Sequence, residues 1–383
     1  MTKKRIVTII GARPQIIKSS AISRAIREHF SQEVEEIIVH TGQHYDANMS
    51  DVFFNEMQIP RPKYNLEVGS GSHGAMTAKM IDGLEKLFTE ENPDAVVIYG
   101  DTNSTLAGAV AAAKIHIPIV HIEAGLRSFN KAMPEEINRI ASDHMSTLLF
   151  TPTKTGLENL KREGFDSSIH KKADVDHPNI YLCGDVMYDN SMYFSTISQQ
   201  KSNILEDLKI APNSYVLCTI HRDSNTDNSV NLTSIFSALI EISKQHHLSI
   251  VLPIHPRTRH KMKDQLKLDL YEEIMNNDAI KIIPPAGFLD IIALEKNARI
   301  IITDSGGLQK EAFFFEKPCV IMREQTEWIE IVENGNAILA GASQNEIINS
   351  ADALLKKNDY TYPPFYGDGK AAEFIVSKII SDL

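Results

Sequence analysis

The chain has 383 residues, 43% of them hydrophobic and 23% charged, with a formal net charge of −11. That length accommodates two domains and the composition is that of a soluble globular protein. The acidic balance leaves no visible basic face and argues against nucleic acid as the main partner, while no apolar run is long enough to span a bilayer.

Lys3-Lys4-Arg5 leads straight into a short strand, so no signal peptide is expected. Arg5 to Ile10 reads as that strand, ending in Gly11, and a helix follows from Pro14, where a missing N–H costs nothing. A strand at Glu36 to His40 ends in Thr41-Gly42-Gln43-His44. Helical spacing then predicts helices over Met49–Met57 and Met76–Phe88, a strand over Ala95–Tyr99, and a small-residue helix over Ser104–Lys114. Strands at Ile117–Ile122 and Leu148–Thr151 alternate with helices after Pro134 and over Lys154–Glu163. This alternation is the pattern of a doubly wound α/β domain with a parallel sheet.

From Gly164 to Pro178 the chain turns polar and loses its period; a strand (Ile180–Cys183) and a helix from Asp189 follow. After Pro212 the alternation resumes, with strands at Tyr215–Ile220, Leu248–Ile254, Ile280–Ile283, Ile300–Thr303 and Pro318–Met322, and a helix at Leu232–Lys244. Two similar domains are therefore expected, 1–185 and 186–369, with the last helix, 370–383, crossing back onto the first. Cys183, Cys218 and Cys319 sit in or beside apolar strand-like runs, as reduced core residues of a cytoplasmic protein.

In open α/β sheets ligands bind beyond the carboxyl ends of the strands. The polar residues there are Arg13 with Lys18, Gln43-His44, Asp101, Glu123 with Arg127, then His221-Arg222, His255 with Arg257, and Asp304-Ser305. Ser305-Gly306-Gly307 joins a buried strand to the first turn of a helix. It reads either as an ordinary turn with a serine cap or as the seat of an anion such as a phosphate on unpaired amides. Glu311, one turn on, favours the second reading, since its carboxylate can reach sugar hydroxyls beside a phosphate. Asp101 is open to the same pair of readings, helix cap or ligand contact. Glu135 and Arg139, four apart, are either a surface pair or an acid/base carboxylate held by a guanidinium. A metal site is not expected: His40 and His44 leave a strand rather than share a helix face, and there is no Cys-x-x-Cys. Neither the Gly-x-x-x-x-Gly-Lys-Ser/Thr loop nor Gly-x-Gly-x-x-Gly follows any predicted strand, which disfavours P-loop and nicotinamide enzymes.

With these motifs in order, the chain resembles the non-hydrolysing UDP-N-acetylglucosamine 2-epimerases from end to end. The resemblance is carried by Gly11-Ala12-Arg13-Pro14 with Lys18, Thr41-Gly42-Gln43-His44, Gly100-Asp101-Thr102 and His121-Ile122-Glu123-Ala124-Gly125-Leu126-Arg127. It continues through Pro134-Glu135-Glu136-x-Asn138-Arg139, Thr219-x-His221-Arg222, Thr303-Asp304-Ser305-Gly306-Gly307-x-Gln309 and Tyr366-Gly367-Asp368-Gly369. It implies two Rossmann-like domains facing across a cleft, the glycosyltransferase-B architecture, with a UDP-sugar between them, no cofactor and usually a homodimer.

The implied chemistry is anti elimination of UDP across C1–C2 to a 2-acetamidoglucal, then re-addition with protonation from the opposite face. Asp101, Glu123, Glu135 and His221 are the implied acid/base set, unassigned to faces. Arg13 and Ser305-Gly306-Gly307 would take the diphosphate, Glu311 the ribose, and the backbone near Phe288 the uracil, with Lys18 and Arg139 in support and Arg222 at the site. Departures from the familiar pattern are Gln15 for Glu, Tyr45-Asp46 for an Arg-Glu pair, and Trp328-Ile329 for Arg-Pro. The second puts activation by substrate at an allosteric site in doubt. Ala12, Gln15 and Trp328 are similar to the branch acting on UDP-2,3-diacetamido-2,3-dideoxy-glucuronate, whose extra carboxylate would meet Arg222, Arg257 or Lys131. A glycosyltransferase, a silent nucleotide-sugar-binding module and a hydrolysing epimerase are the weaker alternatives.

Overall fold

The computed structural model describes residues 3–42, 54 and 59–383. Gln43, His44, Tyr45, Asp46 and, apart from Phe54, the helix predicted over Met49–Met57 lie outside the described residues. By its internal contacts the chain divides into two compact units, Met1–Asn190 with Pro364–Leu383, and Ser191–Pro363.

The first unit is built on seven parallel strands: β1 (Lys4–Ile10), β2 (Val34–His40), β3 (Tyr64–Asn65), β4 (Ala95–Tyr99), β5 (Ile119–Ile122), β6 (Leu148–Thr151) and β7 (Asn179–Leu182). Their order is β3-β2-β1-β4-β5-β6-β7, so the winding reverses between β1 and β4. Every residue of β4, Ala-Val-Val-Ile-Tyr, is buried, as the central strand of a sheet covered on both faces must be. On one face the helix Asn103–Lys114 lies close to the sheet because it presents Ala107, Gly108 and Ala111. A Cβ at Gly108 would come within 3.1 Å of Ile98 Cγ2. On the other, the helix Ala371–Asp382 shares a core with Ala21, Ile22 and Val34. Its first amides, those of Ala371 and Ala372, donate to the Asp189 carboxylate at 3.2 and 2.8 Å.

The second unit repeats the plan with β8 (Tyr215–Thr219), β9 (Ser249–Pro253), β10 (Ile280–Ile283), β11 (Ile300–Thr303), β12 (Cys319–Ile321) and β13 (Ala337–Leu339). The order β10-β9-β8-β11-β12-β13, again all parallel, reverses between β8 and β11. Its core is Ile/Leu/Val-rich, from Val216 and Cys218 through Phe236 and Leu239 to Ile302 and Val320. In each unit the reversal opens a crevice at the carboxyl ends of two neighbouring strands, and that is where a doubly wound sheet binds its ligand. No helix among the described residues is long and apolar enough to cross a membrane.

Candidate active site

At the β1/β4 reversal the chain leaves β1 through Gly11, where a Cβ would lie 2.1 Å from Ser104 Oγ and 2.2 Å from Thr41 Oγ1; only glycine fits. Arg13 opens the next helix and is exposed at the strand end. Gln15, buried, spans the reversal. Its Oε1 accepts from the amides of Gly11 and Ala12 at 2.9 and 3.2 Å, and its Nε2 donates to Tyr99 O at 3.1 Å and Thr105 Oγ1 at 3.0 Å. A carboxylate there could accept but not donate, so the amide is what ties β1 to β4.

Beyond β4, Asp101 does not cap the following helix. Thr102 holds that position, its hydroxyl accepting from Thr105 N at 3.3 Å. The Asp101 carboxylate instead pairs with Arg139 Nη2 at 2.5 Å. Beside it Lys18 Nζ meets Glu123 Oε2 at 2.6 Å. Lys18 reaches this place because residue 100 is glycine, where a Cβ would sit 3.2 Å from the ammonium. Burial raises the Asp101 pKa, and the Glu123 charge adds to this; Arg139 and Lys18 pull against both without cancelling them. A carboxyl whose proton affinity is lifted, next to a second carboxylate and two cations, is equipped for acid/base work.

Glu123 itself is held at φ +72°, an uncommon conformation for a residue with a side chain. It stays there because its amide and that of Ala124 both donate to Phe150 O, at 3.1 and 3.0 Å. Next along, Gly125 lies at φ +79° with its Cβ position 2.4 Å from Gly156 O, and its amide donates to Asp143 Oδ2. Asp143 anchors this stretch from below: Oδ1 meets His121 Nδ1 at 2.7 Å and Oδ2 meets Arg127 Nη2 at 2.7 Å, all three side chains essentially buried. Burial alone would raise its pKa, but His121 and Arg127 outweigh it and hold the carboxyl below its ordinary value. His121 Nε2 donates to Gly100 O at 2.8 Å, so the network runs to the residue before Asp101.

The helix Pro134–Asp143 is turned differently from the Glu135–Arg139 pairing expected from sequence. Arg139 Nη1 donates to Glu136, three residues back, at 2.9 Å; Glu135 lies on the exposed side of the helix. Glu136, 1% exposed, also accepts from the amides of Ser128 and Phe129 at 2.8 and 2.9 Å. Ile137, the apolar residue that would have set the helix face, is 53% exposed, and the buried face carries Glu136, Arg139 and Asp143 instead. A charged buried face inverts the usual hydrophobic pattern, which is why spacing alone misplaced the pair.

In the second unit, Asp304 follows β11 and is fully buried. Its carboxylate accepts from the amides of His221 (2.9 Å) and Arg222 (3.1 Å) and from Asn225 Nδ2 (3.0 Å). That fixes the chain after β8, where the side chains of His221 and Arg222 are exposed. Ser305 stands at the N-cap of the helix Gly306–Phe314 but makes no side-chain cap bond, so its hydroxyl is not spent on the helix. The Cβ position of Gly307 is 3.8 Å from Ser305 Oγ and 3.9 Å from Glu311 Oε2, placing that carboxylate beside the turn. Behind Gly306, Arg323 and Glu327 form a two-pronged pair at 3.0 Å each, and Trp328 Nε1 donates to Gly306 O at 3.1 Å. Phe288 begins the helix Phe288–Asn297, buried, its ring edge-on to Phe194 at 5.1 Å.

Sequence reasoning gave no role of their own to Glu136, Asp143, Lys310, Arg323 or Glu327. Among the described residues no group of three or more His, Cys, Asp or Glu side chains converges as a metal site. Arg257, one of three cations considered for a uronate carboxylate, is bound to Asp223 (2.5 Å) and Asp227 (2.7 Å).

A family model described as UDP-N-acetylglucosamine 2-epimerase matches residues 25–380. A Pseudomonas aeruginosa protein named UDP-2,3-diacetamido-2,3-dideoxy-D-glucuronate 2-epimerase is 47% identical, over 97% of this chain and 98% of its own. A UDP-N-acetylglucosamine 2-epimerase homolog from Methanococcus maripaludis is also 47% identical, over 97% and 98%. The crystal structure of the Methanocaldococcus jannaschii UDP-GlcNAc 2-epimerase in complex with UDP-GlcNAc and UDP superposes with a TM-score of 0.83, at 40% identity over 97% of this chain and 98% of that one. Strand order, motifs and relatives agree: this chain is an epimerase of the UDP-N-acetylglucosamine 2-epimerase family.

Proposed function

We propose that the protein inverts C2 of a UDP-N-acetylhexosamine, UDP-N-acetylglucosamine to UDP-N-acetylmannosamine in type. The C2 proton is taken by a side chain and UDP leaves C1 by anti elimination, forming 2-acetamidoglucal. UDP then adds back to C1 as C2 is protonated from the other face. C2 is not next to a carbonyl, so the barrier is lowered mainly by stabilising the departing diphosphate with fixed amides and cations. Ser305, Gly306, Gly307 and Arg13 are assigned that task, Glu311 the ribose and the backbone at Phe288 the uracil. Asp101, Glu123, Glu135 and His221 are the proposed acid/base groups, with Lys18, Arg139 and Arg222 in support.

The observation that carries this reading is the cluster of Asp101 and Glu123 with Arg139 and Lys18, two carboxylates each matched to a cation at one strand reversal. The 47% identity to the diacetamido-glucuronate enzyme supports a second substrate for the same reaction. Because Arg257 is already neutralised, Arg222 and Lys131 are the cations proposed for that sugar's carboxylate. From the family resemblance, the enzyme is further proposed to work as a cytoplasmic homodimer supplying a C2-inverted sugar for surface polysaccharide. An NMR time course on each UDP-sugar tests the proposal. One of them should give its C2 epimer with UDP still attached, whereas release of UDP and free sugar, or no turnover of either, would overturn it.

A further inference from the structure

We propose that Trp328 is a positioning residue for the diphosphate of the nucleotide, holding the Ser305-Gly306-Gly307 turn through a hydrogen bond to its backbone; this rests on the UDP-sugar reading above. The indole Nε1–H donates to Gly306 O at 3.1 Å, and the ring is buried. A carbonyl fixed from behind sets the orientation of the peptide plane it shares with the Gly307 amide, one of the amides at the helix start with no partner inside the helix. Glycine supplies no side chain to restrain that plane, so the indole donor adds a second hold on a carbonyl at the first helical position of Gly306–Phe314.

Trp328 is held in turn. Lys310 Nζ sits 4.0 Å from the indole centroid, a cation–π contact between a buried ammonium and the ring. Thr326 Oγ1 accepts the Trp328 amide at 3.1 Å and donates to Gln309 Oε1 at 2.5 Å, binding the segment 326–328 to the same helix. Arg323, fixed by Glu327, has its Nη1 3.7 Å from the Cβ position of Gly306. The turn is thus backed by an indole donor whose ring carries the buried ammonium of Lys310, while Arg323 is matched by Glu327; a positive charge behind bare amides suits a diphosphate better than a neutral ligand.

The sequence contains a single tryptophan, so its emission reports on this turn alone. UDP titrated into the full-length protein should change that emission saturably, with the dissociation constant that calorimetry gives. Trp328→Phe keeps a ring over Lys310 but removes the donor. It should weaken UDP binding by roughly 3- to 10-fold, the worth of one neutral hydrogen bond. KM should rise by a similar factor while kcat falls less. Lys310→Met, which frees the ring on its other face, should shift the emission of the unliganded protein and weaken UDP in the same direction. UDP heat in calorimetry with unchanged emission, or an unchanged UDP constant in a folded Trp328→Phe protein, overturns the assignment of Trp328 alone. Absence of UDP heat in the unmodified protein overturns both this assignment and the nucleotide reading beneath it.

Discussion

Replacing Arg139 with alanine removes the one guanidinium that joins Asp101 (2.5 Å) to Glu136 (2.9 Å). Glu136 is 1% exposed and keeps its proton affinity below the ordinary value against burial. The amide and hydroxyl of Ser128, Arg139 and the amide of Phe129 together achieve this. Stripping one partner from a buried ion pair costs about 3–5 kcal/mol, because the other charge is left stranded. Asp101 is 29% exposed at its side chain and can recover some hydration, so the lower end, about 3 kcal/mol, is expected. The same change lifts the Asp101 pKa further, since a guanidinium that had pulled it down is gone. A carboxylate acting as base would then be protonated over a wider range, and the acid limb of kcat/KM should move to higher pH. Each unit of movement corresponds to about 1.4 kcal/mol. Arg139→Lys should recover part of the stability but not the pH profile, as one ammonium cannot serve both carboxylates in the same geometry. Urea unfolding and pH–rate profiles measure the two effects. A stability loss below about 1 kcal/mol with an unmoved acid limb would refute the reasoning.

Asp304→Ala leaves the amides of His221 and Arg222 and the side chain of Asn225 without their shared acceptor. At roughly 1–3 kcal/mol per stranded donor, a loss above about 3 kcal/mol and a fall in kcat are expected, with Asp304→Asn milder in both; urea melts and turnover decide. His40 should make stability fall in mild acid. Burial lowers its pKa from 6.5 to about 4, and its Nδ1 accepts the Gly42 amide at 2.9 Å. With the folded value below the unfolded one, its contribution is complete above pH 6.5 and is lost as pH falls towards 4. The full span is about 3 kcal/mol. His40→Asn, which keeps an acceptor but cannot titrate, should flatten that part of the urea-midpoint profile; an unchanged slope would count against the assignment.

The doubly wound class was legible because buried parallel strands announce themselves as apolar β-branched runs, and Ala95–Tyr99, Leu148–Thr151, Ile280–Ile283 and Ile300–Thr303 fall where the runs do. Tyr64–Asn65 and Ala337–Leu339 were not legible, being edge strands of two and three residues with no alternation to read. The motifs pointed to the strand ends, but spacing could not say which side chain is spent on capping. Thr102 caps where Asp101 was considered, and Ser305 occupies an N-cap without capping. Nor could it orient a helix whose buried face is charged, so Arg139 was matched to Glu135 rather than Glu136. Lys310 and Trp328 are eighteen residues apart in sequence and meet only because the strand Cys319–Ile321 returns the chain beside the helix start.

The proton at C2 is the centre of the account, and its exchange with solvent is the most direct test. In deuterated water, the UDP-sugar that the enzyme turns over should acquire deuterium at C2 in both epimers, with the UDP linkage retained at equilibrium. Epimers that form without deuterium at C2 would contradict removal and return of that proton by the side chains named here.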